Sequence, residues 1–489
     1  MKLLLRPIKR WPALSFAFLL ALPLAGVAWA ASQNLFLSNL HAHLVSKALV
    51  ATNRGRLEFI GFTYPPMPFL LTAFYPRPFT PSLWAALAGG ILLWTLWEHL
   101  SEIGLPVLLR VLLILPFIVS APMAFLLTES LNGAFSLMFY ALAWRSFLQF
   151  MKERLTSAGF NGGLWLGTAF FFNVYALFWG LLYALSTFLL YRLYHPHQQK
   201  ERRTMWAMGF ILLFPPLLTF GAWSYLSWIF TGVPLHFLTD PNGPVYAFLQ
   251  PGVATTHTLW QAVRLTASDL SHLPLVLAAG LLCVLDSWIW AAVYGLLITG
   301  IVVLRSWGLV YPETLAQGSF LIMVLMALPS RLNRPKRLFL ASAAVLQILL
   351  MVRLPARAPE VQAWRTALRA TRPALQDEFE LAVASQLAQA PSRSILADDR
   401  NAYRFIARGH TADPYLLPMD ATYLSAVVNP ANFVDYVLVA EKPDAGESLA
   451  GRYAYQAPPG FVLSATWPGW RLYRRKDVPP LLTLQSLGP

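Results

Sequence analysis

The sequence holds one cysteine, Cys283, so no intrachain disulfide can brace the chain. Charge is scarce too: 12% of residues are Asp, Glu, Lys or Arg, against roughly 25% in an average soluble protein. Acids are the scarcer sign, with 23 Asp and Glu to 37 Lys and Arg. There is no internal repeat and no low-complexity tract. In the last 135 residues no glycine-rich phosphate loop precedes a helix, which argues against a doubly wound nucleotide enzyme there. No aspartate occurs between Ala31 and Pro81, although that stretch is the first polar one in the chain.

What is present is apolar. Hydrophobic residues make up 57% of the chain, with 18 Trp and 32 Phe among them. This is the composition of an integral membrane protein. A formal charge of +14 would suit nucleic acid. However, Lys and Arg stand in short clusters beside apolar segments, the pattern that orients a protein in a membrane. Nucleic acid is therefore excluded as a partner and membrane lipids are expected.

About eleven apolar runs read as spans. They are Trp11–Ala31, Ser82–Leu100, Leu105–Leu127, Leu131–Phe150, two helices within Gly163–Tyr191, Met205–Phe230, Leu273–Leu285, Ile289–Leu304, Ser319–Leu328 and Leu338–Val352. Ala28-Trp29-Ala30 resembles a signal cleavage site, but the length of the first run favours an uncleaved helix. Asn173 and Tyr175 stand near the junction in the fifth run, Pro215-Pro216 predicts a kink, and Leu273–Leu304 reads either as one long tilted helix or as two short ones broken near Asp286. Basic clusters at 2–10, 152–154, 192–203 and 331–337 fall on one side with eleven spans. That side is read as cytoplasmic, in the inner (plasma) membrane, with the N-terminus inside.

The loop over residues 32–81 then lies outside. Its polar part runs from Asn34 to Pro81 and carries Asn39, His41, His43, Lys47, Arg54, Arg56 and Glu58. It closes on Tyr64-Pro65-Pro66-Met67, where two prolines predict a stiff, non-helical element. Such a loop suits a ligand that is part lipid and part polar; the plainer reading is a juxtamembrane turn. Glu58 is a candidate general base, or else a surface partner of Arg54 or Arg56. His41 is a candidate base or phosphate contact, or else a solvated interfacial histidine. His41 and His43 are two apart and would point to different sides of a helix, which disfavours a two-histidine metal site. Glu129 is a catalytic or metal candidate, or else an acid favouring the helix from Ser130 to Phe150. Arg54, Arg56 and Arg77 are candidates for binding a phosphate, or else lipid headgroups. Asp240 reads as a turn residue. Arg110 and Arg145 lie inside apolar runs, where charge is expensive.

From Pro355 the composition changes to that of a soluble domain of ~130 residues. The division expected is a membrane domain over 1–354 and a domain over 355–489. Val361–Leu387 has helical periodicity, Ser394–Ala397 and Val434–Val439 read as strands, and Ala402–Arg408 reads as a helix capped by Gly409. Phe461–Thr466 and Trp470–Tyr473 read as a hairpin. Asp398-Asp399 is better explained as a turn and N-cap than as a metal site. The fold class is thus mainly α, a polytopic bundle with a small C-terminal extracytoplasmic α/β domain.

This layout resembles bacterial GT-C glycosyltransferases, in the branch of protein mannosyltransferases and aminoarabinose transferases. The resemblance rests on the order of weak motifs. They are the loop end Tyr64-Pro65-Pro66-Met67, the tryptophan-rich run Trp223–Phe230 leading to Gly232-Val233-Pro234, and the tail segments Ile395–Asp399, Val434–Val439 and Trp470–Arg475. It implies transfer of a sugar from a polyprenyl-phosphate carrier to a glycan, lipid or protein acceptor on the outer face. It also implies a donor-binding role for Tyr64 and leaves room for a divalent cation such as Mg or Mn. One departure stands out: where the family places an aspartate base, this chain reads Ser38-Asn39-Leu40-His41-Ala42-His43. The base then falls to Glu58, His41 or Glu129. Otherwise the chain binds the carrier without catalysis, or moves a lipid-linked sugar across the membrane.

Overall fold

A computed structural model describes residues 10–56, 64–195, 202–239, 258–307, 309, 312–329, 332–353, 358–441 and 448–482. Helices dominate. In order they are α1 (Arg10–Gln33), α2 (Asn39–Arg54), α3 (Pro66–Ala73), α4 (Thr80–Glu102), α5 (Val107–Val119), α6 (Ala121–Glu129), α7 (Leu131–Glu153), α8 (Thr156–Phe170), α9 (Tyr175–Tyr194) and α10 (Arg202–Thr231). Then come α11 (Leu259–Ser271), α12 (Pro274–Asp286), α13 (Ile289–Ser306), α14 (Glu313–Met326), α15 (Arg334–Arg353), α16 (Pro359–Arg369) and α17 (Leu375–Leu387). The remainder mixes short strands and helices: β1 (Ile395–Leu396), α18 (Asp399–Gly409), β2 (Tyr415–Leu416), α19 (Tyr423–Val428), β3 (Tyr436–Ala440), α20 (Ser448–Tyr453), β4 (Phe461–Trp467) and β5 (Trp470–Arg475).

Among the described residues, five helices are long and apolar enough to cross a membrane, or up to seven if each bent pair is one span. The chain is a multi-pass membrane protein, but eleven spans are not reached on length and composition. The run Leu105–Leu127 bends by 71° between α5 and α6, and α11 and α12 meet at 94°. A proline inside α5 and the Ser120 cap of α6 break the first of these runs. The junction at Asn173 is as expected: its Oδ1 accepts from the Tyr175 backbone N–H at 3.0 Å, starting α9. The break beside Asp286 is also present, between α12 and α13. α10 runs as one helix of 30 residues through Pro215 and Pro216.

The chain forms two compact units. The first comprises residues 1–28, 62–67 and 82–365; the second comprises 29–61, 68–81 and 366–489. The expected division at Pro355 was drawn along the chain. The second unit instead combines most of the polar loop with the C-terminal segment.

The first unit is held by aromatic packing and by small residues at helix crossings. Trp144 and Tyr183 stand 4.9 Å apart, and the Phe147 and Tyr183 rings stack at 5.6 Å. A Cβ added at Gly163 would lie 2.4 Å from the Leu212 carbonyl oxygen, so α8 and α10 meet where only glycine fits. Large apolar side chains such as Trp206, Phe210, Trp228 and Phe230 on α10 remain exposed, as lipid-facing residues do.

The second unit is built on a five-stranded sheet ordered β2-β1-β3-β5-β4. β1 lies parallel to β2 and β3, while β5 is antiparallel to β3 and β4. The expected hairpin is present, with Gly469 at φ 83° in its turn, a left-handed position that favours glycine. The expected helix over Val361–Leu387 is two helices, α16 and α17. The expected Gly409 cap is corrected: Gly409 is the last helical residue, and His410 takes the left-handed cap at φ 58°.

Candidate functional site

The polar loop is not stiff and irregular throughout. α2 occupies its first half because Ser38 caps it, accepting from the His41 backbone N–H at 3.2 Å. Gly55 ends it at φ 64°, donating to the Thr52 carbonyl at 3.2 Å. The proline-rich end is likewise corrected: Pro66 and Pro68 sit in the first turn of α3, where proline is tolerated. The Tyr64–Pro65 peptide is cis.

Within the second unit the charged side chains of α2 are buried or half-buried and paired. Lys47 makes an ion pair with Asp399, the first residue of α18. Burial pushes the Asp399 carboxyl up, but Lys47, His43 and Arg400 outweigh it and hold it below the usual value. His43, one turn before Lys47, is pushed down to about 3, by burial first and then by the Lys47 charge. Its ring packs edge-on against Phe69 and Tyr403, each 5.9 Å away, and its Nε2 has no hydrogen-bond partner among the described residues. It is therefore neutral near pH 7.

Arg54 at the end of α2 donates from Nε and Nη2 to the two Asp420 oxygens at 3.1 Å, and from Nη2 to the Tyr415 carbonyl at 2.6 Å. This guanidinium is engaged within its own unit. Asn39 accepts from Arg404 Nη1 at 2.8 Å. Arg404 also forks onto Glu380, at 2.6 and 2.9 Å. His41 is fully buried, so the expectation of a solvated interfacial histidine is corrected. Both histidines are buried despite their spacing because α2 is covered on several sides by its unit. Arg56 and Arg77 are exposed, and Arg77 lies 5.8 Å from the Tyr75 ring centroid. Glu58 and Asp240 fall outside the described residues.

In the first unit, Glu129 is the last residue of α6 and is buried. Ser82 Oγ donates to its Oε2 at 3.4 Å. The next residue, Ser130, caps α7, accepting from the Gly133 N–H at 3.3 Å. Tyr64 is buried, donates its hydroxyl to the Phe170 carbonyl, and packs against Phe170 and Phe237 with ring centroids 5.1 Å away. Arg145 bridges Glu98 and Glu102 at 2.5 Å each, so it is paired rather than reaching out alone. The Arg110 guanidinium lies 4.7 Å from the Trp97 ring centroid.

Asp398 caps α18 as expected, accepting from the Arg400 N–H at 3.0 Å. Asp399 was read with it as a turn residue; its pairing with Lys47 had no local signal, because the two are 352 residues apart. Among the described residues no three His, Cys, Asp or Glu side chains are grouped to hold a metal.

No family model matches this sequence, and comparison with curated proteins gives no match. Comparison of folds does. The crystal structure of ArnT from Cupriavidus metallidurans bound to undecaprenyl phosphate aligns with a TM-score of 0.57 at 12% identity, over 96% of this chain and 99% of that one. At that identity the likeness speaks of fold alone, and it gives the chain a GT-C-like membrane fold over nearly its whole length.

Proposed function

We propose that the protein is a membrane glycosyltransferase that takes a sugar from a polyprenyl-phosphate carrier and passes it to an acceptor on the extracytoplasmic face. The observation that carries this reading is the end-to-end fold likeness to a protein whose structure holds undecaprenyl phosphate. The orientation, with the N-terminus cytoplasmic, rests on the basic clusters.

The chemistry needs a base and a counter-charge. The acceptor hydroxyl attacks the anomeric carbon, a carboxylate takes its proton, and the sugar–phosphate bond breaks to release polyprenyl phosphate. Glu129 is the favoured base among the described residues, since it is buried and oriented by Ser82. Glu58 is a second candidate. Arg56 and Arg77, both exposed in the second unit, are separate candidates for binding the carrier phosphate. Arg54 joins them only by giving up Asp420.

The test uses purified protein in nanodiscs with a panel of polyprenyl-phosphate sugars, with and without Mg²⁺ or Mn²⁺. Release of polyprenyl phosphate is followed. Glu129→Gln is expected to lower release by about 10²–10⁴-fold, the usual share of a general base. Absence of release from every donor would sink the reading. One observation favours a second reading, a carrier-binding protein without catalysis. The position expected to hold an aspartate base is Asn39, tied to Arg404 as a structural acceptor. Donor binding without turnover would establish it.

A further inference from the structure

The sheet of the second unit has one place where neighbouring parallel strands send the chain in opposite directions. β1 leads through α18 to β2 on one side, and β3 leads through α20 to the β4–β5 hairpin on the other. In open α/β sheets the crevice outside the carboxyl ends of such a pair is where ligands seat. A cleft of about 430 Å³ lies there. Asn401 lines it from the first turn of α18, Ala440 and Glu441 from the end of β3, and Gly469 and Trp470 from the hairpin turn.

The lining has a definite chemistry. Trp470 is half-buried and fixed edge-on against Phe405, with ring centroids 5.0 Å apart. The Glu441 backbone N–H is tied to the Gly469 carbonyl at 2.8 Å. Its carboxylate accepts from Arg471 Nε at 3.2 Å and remains partly open. The Arg471 guanidinium lies 5.8 Å from the ring of Tyr455, which is exposed. The described lining holds a carboxylate and an amide but no Lys or Arg. Phosphate or a nucleotide would meet a carboxylate there. A ring bearing hydroxyls would find an indole for its apolar face, a carboxylate to accept from two hydroxyls, and an amide that both donates and accepts.

We infer that this cleft binds an uncharged saccharide ring. That the saccharide belongs to the acceptor rests on the transferase reading above; the binding itself does not. The experiment is saturation-transfer NMR on the full chain in nanodiscs, with maltose, cellobiose, mannobiose and chitobiose as probes. At least one probe is expected to receive saturation. Glu441→Gln and Asn401→Ala are each expected to weaken that probe about tenfold, as loss of one ligand hydrogen bond does. Trp470→Phe, which keeps an aromatic ring beside Phe405, is expected to weaken it less. No saturation transfer to any of the four probes overturns the inference. Binding left undiminished by all three substitutions also overturns it. Saccharide binding without polyprenyl phosphate release would remove the transferase reading alone, and release without saccharide binding would remove this inference alone.

Discussion

The two units of this protein keep their order by different means. The first is held by apolar surfaces and small residues that let helices close on one another, as at Gly163 against Leu212. Among its described ion pairs are Arg145 with Glu98, 47 residues apart, and the buried Arg305 with Asp269, 36 apart. The second unit is held across the chain by charge, through Lys47 with Asp399 and Arg54 with Asp420, 352 and 366 residues apart. Apolar packing is non-directional and tolerates approximate partners, whereas a buried ion pair fails when either member is removed. The polar loop of a membrane protein can thus be a structural part of a domain that the sequence places far away.

Breaking the Lys47–Asp399 pair should have the largest effect. Asp399→Ala removes the buried carboxylate of this pair and is expected to destabilise the second unit by about 3–5 kcal/mol. Hydrogen-exchange protection of β3 would report it; unchanged protection would remove the pair from any structural role. In the first unit the matching test is steric. Gly163→Val forces α8 away from the Leu212 carbonyl and should cost about 1–3 kcal/mol, read as a lower thermal midpoint in detergent.

Acid should separate the units as well. His43 is held near 3 when folded and has a usual value of 6.5 when unfolded. A lowered histidine stays neutral in the fold while the unfolded chain takes up the proton, so stability is full above about 6.5 and falls as the pH drops toward 3. The slope is about 1.4 kcal/mol per pH unit. It should vanish in His43→Phe, and a pH titration of β3 protection would show whether it does. Asp399 adds a loss at lower pH, since a depressed carboxyl contributes stability above its unfolded value that disappears as pH falls through its folded one. The smallest effect is expected from Arg145→Ala, below about 1 kcal/mol, because its partners Glu98 and Glu102 are exposed and water replaces it. A larger loss in thermal midpoint would mean that charge matters in the first unit as it does in the second.

The candidate site was legible where the signal was local. Hydropathy marked the long helices, and Asn173 stood near the junction within the fifth run. The paired runs Phe461–Thr466 and Trp470–Tyr473 marked the β4–β5 hairpin. Asp398 could be recognised as a cap from its place before a helix. The fates of His41, Asn39, Lys47 and Arg54 were not legible, because each is decided by a partner from the other end of the chain. Glu129 was singled out by its position after an apolar run. Its burial and its Ser82 partner required the helices to pack first. The saccharide cleft had no signature at all: Asn401, Glu441 and Trp470 are ordinary residues until β1 and β3 lie side by side.

The sequence by itself determined that this chain belongs in a membrane, since 57% hydrophobic residues and long apolar helices cannot be hidden in a soluble core. It also determined the β1, β3, β4 and β5 strands and the Asp398 cap of the C-terminal segment, where local patterning acts over a few neighbours. Only the tertiary structure decided that α2 belongs with that segment and which charges are used up in holding it. It alone decided that Asn401, Glu441 and Trp470 share a cleft. Those outcomes depend on burial and on pairing across hundreds of residues, and both exist only once the chain has folded.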